Sequence, residues 1–450
     1  MKPLNKADNT NFNFQQLSIG TDSSNVTTQR ISQECAKLNP IVNKIKETFK
    51  KQDYSSDYAS VVLSYNNDCL NESKKLSNKL NDATTLVLIG IGGSNLGTMA
   101  VLEGKFGLLK NIESKKKLVL FADTVDQNKL IEIARIIETK LKAKEKVIFN
   151  GISKSGSTTE TIANLMFFLE KFRNYVSKNP EYVVITTDKS SPLEKLALNR
   201  KYSILNIPKK VGGRYSVFSN VGLFPLLWAE VDCSQLLKGA RKAVEICTNN
   251  YGLNNPAVKL ASIYHLQNRM GKKILDEFIF DTSLEALGKW HRQLMAESIG
   301  KQFSASGNVK LNAGMTPTVS IGSTDLHSIG QLYFGGPKDK LFAIISVKQK
   351  EKIILKKDNE IEEIVPNVSN KSIVQLMDAI LNGTKNAMKE SHIPFVTIEL
   401  QELNEENLGF LMQLQMIQII MLGHLMNVNP FDQPAVELYK NQTKTILQKK

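Results

Sequence analysis

The chain has 450 residues, 42% hydrophobic and 23% charged, a composition that builds a sizeable core and excludes wholesale disorder. At roughly 150 residues per domain, this length predicts about three units or two large ones. The formal charge of +14 favours anionic partners, but no basic stripe interleaved with aromatics accompanies it. Nucleic acid is therefore not expected, and the surplus fits capture of a small anion.

Residues 1–55 read as a polar lead-in followed by helix. Short apolar runs then occur at Thr85–Ile91, Leu118–Ala122, Lys146–Asn150, Tyr182–Thr187 and Ser203–Ile207. Helical patterns lie between them at Asn95–Phe106, Asp126–Leu141, Thr158–Tyr175 and Pro192–Asn199. Apolar strands alternating with helices predict a parallel sheet covered on both faces. Gly212-Gly213 follow Pro208 and mark a passage to a second unit. That unit opens with helices near 218–231, 234–248 and 256–269. It continues with strand Lys273–Phe280, helix Ser283–Ser298, strands Thr316–Ile321 and Leu341–Val347, helix Lys371–Met388 and strand Phe395–Leu400. Gln349–Val365 mixes Lys, Glu and Ile and reads as a solvated hairpin. Helices Glu405–Met426 and Asp432–Gln448 follow. The expected organisation is residues 1–55, a first α/β domain over 56–210, and a second over 211–450.

Cys35, Cys69, Cys233 and Cys247 lack Cys-x-x-Cys spacing, which argues against zinc and for a reduced, cytoplasmic setting. The first twenty residues lack the apolar centre of a signal peptide. Leu408–Val428 is the most apolar long stretch, but Gln413, Gln415, Gln418 and His424 interrupt it. It is expected as a buried core helix, with no membrane partner.

In open parallel sheets ligands bind where strands end, so the loops leaving the strands come first. Gly90-Ile-Gly-Gly-Ser-Asn-Leu-Gly97 follows the first strand. Asn95 stands where a dinucleotide motif needs its third Gly, and Asp123 lies too far on for its ribose acid. The loop is either a phosphate cradle or a plain tight turn. Ser153-Lys-Ser-Gly-Ser-Thr-Thr-Glu-Thr161 follows the third strand at a helix start. Ser157 and Glu160 have capping-box spacing, yet Ser153, Ser155, Thr158 and Thr161 remain over, as an anion site would require. Lys154 either neutralises a phosphate or faces water.

Leu287, Trp290, His291 and Leu294 share the apolar face of a helix, and Glu297 flanks it near the helix end. A carboxylate beside apolar surface at the unfavourable end of a helix dipole suits a general base. The alternative is a surface Glu paired with Lys301 four residues on. His327 sits on a loop after the strand ending at Ile321 and is the best-placed proton shuttle of the five His. His265, His291 and His424 fall on helices as packing residues, and His392 lies in a loop before Pro394. Asp432 has N-cap character, Pro434 suits a first turn, and Lys440 lies at the edge of the last helix's apolar face.

Taken together, these segments resemble the glucose-6-phosphate isomerase family in its shorter bacterial form, from about residue 60 to 445. Gly212-Gly-Arg-Tyr-Ser and Phe431-Asp-Gln…Val436-Glu…Lys440 are the specific elements. Ala296-Glu-Ser-Ile-Gly-Lys301, Thr324-Asp-Leu-His-Ser328 and the two loops accompany them in the family's order. Ala435 stands where the family usually has Gly, and residues 1–60 hold no counterpart of the longer members' N-terminal His and Arg.

The resemblance implies two sugar-isomerase (SIS) type doubly wound parallel-sheet α/β domains with flanking helices. It implies interconversion of glucose 6-phosphate and fructose 6-phosphate through a cis-enediol(ate), without metal or organic cofactor. By resemblance Glu297 is the base, Arg214 the cation beside the enediolate, and His327 and Lys440 the ring-opening groups. Gly93, Ser94, Ser153, Lys154, Ser155 and Thr158 match the phosphate loops, and Gln433 a substrate-contacting amide. A homodimer with His327 crossing the interface is also implied. Action on mannose 6-phosphate and a non-catalytic phosphosugar sensor are the rival readings. A sensor has no use for Glu297, Arg214, His327 and Lys440 together.

Overall fold

A computed structural model describes residues 11–109, 117–350 and 352–448. The polar stretch 1–10 lies outside them. Thirteen strands are defined among the described residues: β1 (Phe12–Asn13), β2 (Leu17–Ser23), β3 (Ala83–Ile89), β4 (Leu118–Ala122), β5 (Lys146–Ile152), β6 (Val183–Thr187), β7 (Ser203–Asn206), β8 (Ile274–Ile279), β9 (Lys301–Phe303), β10 (Lys310–Ala313), β11 (Thr316–Ile321), β12 (Lys340–Val347) and β13 (Phe395–Leu400).

Five of them form a wholly parallel sheet in the order β4-β3-β5-β6-β7. Its central strands are apolar and buried on both faces, as helical cover on two sides requires. The expected helices connect successive strands in chain order. The one expected over Thr158–Tyr175 breaks at Phe172 into Thr159–Lys171 and Arg173–Lys178.

The second sheet has the order β1-β2-β13-β12-β8-β11. β11, β8, β12 and β13 are parallel, and β2 joins β13 antiparallel. The expectation of lead-in then helix over residues 1–55 misses β1 and β2. Their sequences are polar and short, and tertiary pairing rather than propensity makes them strands. The hairpin expected at Gln349–Val365 is absent from the described residues. That stretch has one bridge, Ile354 to Ser372, and a short helix, Asn359–Ile364. The short β9–β10 pair was not anticipated.

The helix Glu405–Leu425 is buried on all sides. By length and composition it could cross a membrane, but here it is the axis of the main core, packed against Cys233–Asn249 and Pro256–Arg269. Two of the polar side chains that interrupt its apolar run find partners there: Gln415 Nε2 donates to buried Glu277 Oε1 at 2.9 Å, and His424 Nε2 meets Tyr58 Oη at 2.8 Å. His291 Nδ1 lies 2.8 Å from the same Glu277 oxygen, and His265 Nδ1 2.7 Å from Glu34. The four cysteines are buried free thiols.

Gly239 and Gly409 let two of these helices touch backbone to backbone. A Cβ at Gly239 would overlap the carbonyl oxygen of Glu406, and one at Gly409 that of Leu236. Neither neighbour can give way as a flexible side chain would. Gly409→Ala is therefore expected to lower the denaturant midpoint by the equivalent of about 1–3 kcal/mol. An unchanged midpoint would contradict this contact.

Candidate active site

The loops at the carboxyl ends of β3 and β5 meet the segment that follows β7. Gly92–Ser94 forms a 3-10 turn after β3, and Gly213–Tyr215 forms another. A Cβ on Gly93 would overlap the Gly213 carbonyl, so this approach requires glycine. Lys154 Nζ donates to the Val211 carbonyl at 2.9 Å. It is half-buried and paired, and burial pushes its pKa down, opposed by Asp188 and helped by Lys210 and Arg214.

The loop after β5 differs from the capping-box reading. Thr158, not Ser157, is the N-cap of helix Thr159–Lys171, and it makes no side-chain cap bond. Its hydroxyl is engaged with buried Ser153 Oγ at 2.9 Å. Ser155 Oγ accepts from the Ser157 N–H at 3.3 Å, which ties that hydroxyl into the loop. The first-turn N–H groups of that helix are thus left without a side-chain cap, next to a loop rich in hydroxyls. The Ser94 hydroxyl has no protein partner among the described residues.

Arg214 lies beneath this shelf, 1% exposed. Its five N–H groups have five acceptors. Nε donates to Ser298 Oγ (2.8 Å). Nη1 donates to Glu297 Oε2 (3.2 Å) and Gln433 Oε1 (2.8 Å). Nη2 donates to the carbonyls of Pro430 (2.7 Å) and Asp432 (3.1 Å). Tyr215 Oη meets Ser298 Oγ at 2.8 Å and donates to the Pro430 carbonyl at 3.1 Å.

Glu297 stands at the end of helix Glu285–Ile299, whose Leu287, Trp290, His291 and Leu294 are buried as expected. The carboxylate does not rest on apolar surface. Arg214 holds one oxygen and Gln293 Nε2 the other, at 2.9 Å, and 29% of the side chain is open. The surface pair with Lys301 does not form either. Lys301 Nζ instead binds the main-chain carbonyls of Glu297 and of Asp432, the latter at 2.8 Å. Asp432 is not a helix cap: Gln433 precedes a 3-10 turn, Pro434–Val436, and the last helix is Glu437–Gln448. The Asp432 carbonyl is committed to Arg214 and Lys301, which holds its backbone out of the helix.

The sequence points to no role for Gln293 or Ser298, and names Lys301 only as a surface partner of Glu297. Gln293 lies one helical turn before Glu297, on the same face, and that spacing was a usable signal.

The site is therefore gathered around Arg214, Glu297 and Gln433, next to Gly93, Lys154 and the hydroxyl loop. Two expected members are elsewhere. Ile321 of β11 pairs with Ile279 of β8, so His327, on Thr324–Ser328, lies beyond the carboxyl edge of the second sheet. The helix bearing Glu297 starts at that edge and runs back. Its end meets Gly314, two residues before β11 begins: a Cβ there would lie 3.4 Å from the Gly300 Cα. Glu297 is twelve residues into the helix, or ~18 Å along its axis. His327 and Glu297 of one chain thus sit at opposite edges, and the expectation that the carboxyl edge of the second sheet carries the site does not hold within a chain. His327 is exposed without a hydrogen-bond partner among the described residues. Lys440 Nζ pairs with Glu437 at 2.7 Å, on a helix with no buried residue. A groove of about 760 Å³ at the carboxyl ends of β8, β12 and β13, lined by Asp281, Lys348 and Gln349 among others, holds none of the residues expected to act.

Comparison with known proteins matches residues 70–450 to the family described as phosphoglucose isomerase. A glucose-6-phosphate isomerase of Methanocaldococcus jannaschii is 33% identical, over 87% of this chain and 93% of its own length. Among solved structures, a hypothetical protein from Thermus thermophilus is 30% identical with a TM-score of 0.83, covering 96% of this chain and all of that one. A glucose-6-phosphate isomerase from Chlamydia trachomatis shares the fold at a TM-score of 0.80, with 19% identity, over 97% of this chain and 89% of that one. With a loop-and-helix shelf above a buried arginine and an apposed carboxylate, and with relatives matched over most of its length, the chain belongs to the phosphoglucose isomerase family.

Proposed function

We propose that the protein interconverts glucose 6-phosphate and fructose 6-phosphate by proton transfer between C2 and C1, with Glu297 as the base. The observation that carries this reading is the Glu297 carboxylate held against the buried Arg214 guanidinium beside the phosphate-type loops. Removing a proton from the carbon next to a carbonyl creates an enediolate. A fixed cation lowers the energy of that charge more than it lowers the energy of the neutral ground state. Arg214 needs no reorganisation to do so, because its five contacts hold it in place.

The phosphate is assigned to the shelf above. Gly93 lets the loop after β3 pack against Gly213, which closes one side of the shelf. Ser94, Ser155 and Thr158 supply hydroxyls, with buried Ser153 bonded to Thr158 behind them, and the uncapped start of helix Thr159–Lys171 adds N–H donors and a positive dipole end. Lys154 adds charge from behind. Gln433 is assigned to a sugar hydroxyl. A sensor would gain nothing from opposing Glu297 to Arg214, so turnover is the better reading.

Ring opening is assigned to His327 and Lys440, and the working unit to a cytoplasmic homodimer. Opposite-edge placement of His327 and Glu297 supports delivery of His327 by a twofold-related partner. Helix Glu437–Gln448 supports it too: it buries nothing in its own chain and leaves Leu438, Tyr439, Ile446 and Leu447 exposed.

Glu297→Gln is expected to keep fructose 6-phosphate affinity within a few fold and to lower kcat at least about 10²-fold. Solvent-proton exchange at C2 should fall in parallel. Wild-type exchange in that variant would rule Glu297 out as the base.

A mixing test addresses the assembly. Inactive Glu297→Gln and inactive His327→Ala are combined in equal amounts, dissociated mildly and reassociated. If His327 crosses the interface, half the dimers are mixed and each has one intact site, so roughly a quarter of wild-type activity returns. No recovery in proven heterodimers would assign His327 to its own chain's site.

A further inference from the structure

Lys301 is buried, 7% exposed, at the point where the helix bearing Glu297 ends. Its ammonium binds the Glu297 main-chain carbonyl, one of those a helix leaves unpaired at its C-terminus, and the Asp432 carbonyl at 2.8 Å. The Asp432 carbonyl also receives Arg214 Nη2 at 3.1 Å. Asp432 Oδ1 lies 3.6 Å from Lys301, while Oδ2 is held by Asn429 at 2.9 Å. One ammonium therefore joins two parts of the site that are far apart in sequence: the helix end that presents the carboxylate, and the segment that presents Gln433.

We propose that Lys301 is a positioning residue for the isomerisation, whose ammonium sets the spacing between the base-bearing helix end and the Pro430–Gln433 segment. The inference rests on the reading of Glu297 as the base. Arg214 fixes part of this geometry. It too spans the helix end and the segment, but on the helix it grips only the Glu297 and Ser298 side chains, whereas Lys301 holds the Glu297 main chain. The cation also complements the negative end of the helix dipole.

The charged groups facing the ammonium are Arg214, Asp432 and Glu297. Burial, together with Arg214, lowers the Lys301 pKa to about 8, against the opposing pull of Asp432 and Glu297. The ammonium is present below that pH and is lost as pH rises through it, so the bridge weakens on the alkaline side. The effect on stability has the opposite sign. The folded-state value lies below the ordinary Lys value of ~10.4, so between the two this group favours folding as pH rises. An alkaline fall in rate at intact fold is therefore the signature.

The experiment follows fructose 6-phosphate turnover from about pH 6 to 10 for wild type, Lys301→Met, Lys301→Arg and Glu297→Gln, with thermal unfolding run alongside. In wild type, kcat falls above about pH 8. Lys301→Met is expected to lower kcat about 10- to 100-fold with KM within about threefold, as a small misplacement of reacting groups does, and to lose the alkaline fall. Lys301→Arg keeps a charge that does not titrate in this range, so its alkaline fall should move up by about one pH unit or more. The proposal is overturned by wild-type kcat in Lys301→Met, by a loss confined to KM, or by an unmoved alkaline fall in Lys301→Arg. The last outcome decides alone if Lys301→Met does not fold. Glu297→Gln separates the two levels. Wild-type turnover there removes the base assignment itself, whereas an inactive Glu297→Gln beside a wild-type-like Lys301→Met removes only the positioning role.

Discussion

A guanidinium taken out of water costs several kcal/mol unless all its donors are answered. Arg214 is answered five times, by Ser298, Glu297, Gln433 and the carbonyls of Pro430 and Asp432. Losing any one acceptor leaves a buried donor unpaired, at ~1–3 kcal/mol. The constraint works in both directions. The arginine is immobile because the segments around it are fixed, and those segments converge because the arginine needs them. Three stretches far apart in the chain thus become one site only in the folded state.

The same logic shapes the ground around it. Gly93 against Gly213 brings the loop after β3 onto the arginine's own turn. Lys154 ties the loop after β5 to Val211. Lys301 ties the end of the Glu297 helix to Asp432. Each link is a main-chain contact or a lysine spent on a carbonyl, so the shelf and the carboxylate are held by backbone. Arg214, Lys154 and Lys301 bring positive charge to this junction, and Glu297 remains partly open, as the proposed role of each requires.

Much of this was legible in the sequence, and the limits were physical. The parallel strands read clearly because burial on both faces leaves continuous apolar runs, as in β3 and β5. Glu405–Leu425 read as core because Gln413, Gln415 and Gln418 interrupt the apolar run that a membrane span needs, and all three are buried in the protein interior. β1 and β2 did not read, because their strand character comes from β13. Ser157 and Glu160 had the spacing of a cap, yet Thr158 took the position, since the loop's hydroxyls bond one another first. Lys301 was seen only as the i+4 neighbour of Glu297. Its attachment to two carbonyls depends on where residue 432 arrives, and no local pattern carries that. The residues were found by type and order, while their partners belong to the tertiary structure.

The pairing of β2 with β13 also bears on how the molecule is made. Ile19 lies opposite Ile398, so the edge of the second sheet closes only when segments from near the two ends of the chain meet. Such long-range contacts form slowly, because the loop must close before pairing rewards it. During synthesis β2 emerges long before its neighbour exists. Until β13 arrives, β2 offers an unpaired edge to any other chain. The first sheet has no such dependence, since β3 to β7 lie within one continuous stretch. Assembly is thus ordered by topology: the loops leaving β3 and β5 can form early, while the sheet beside the Glu297 helix waits for nearly the whole chain.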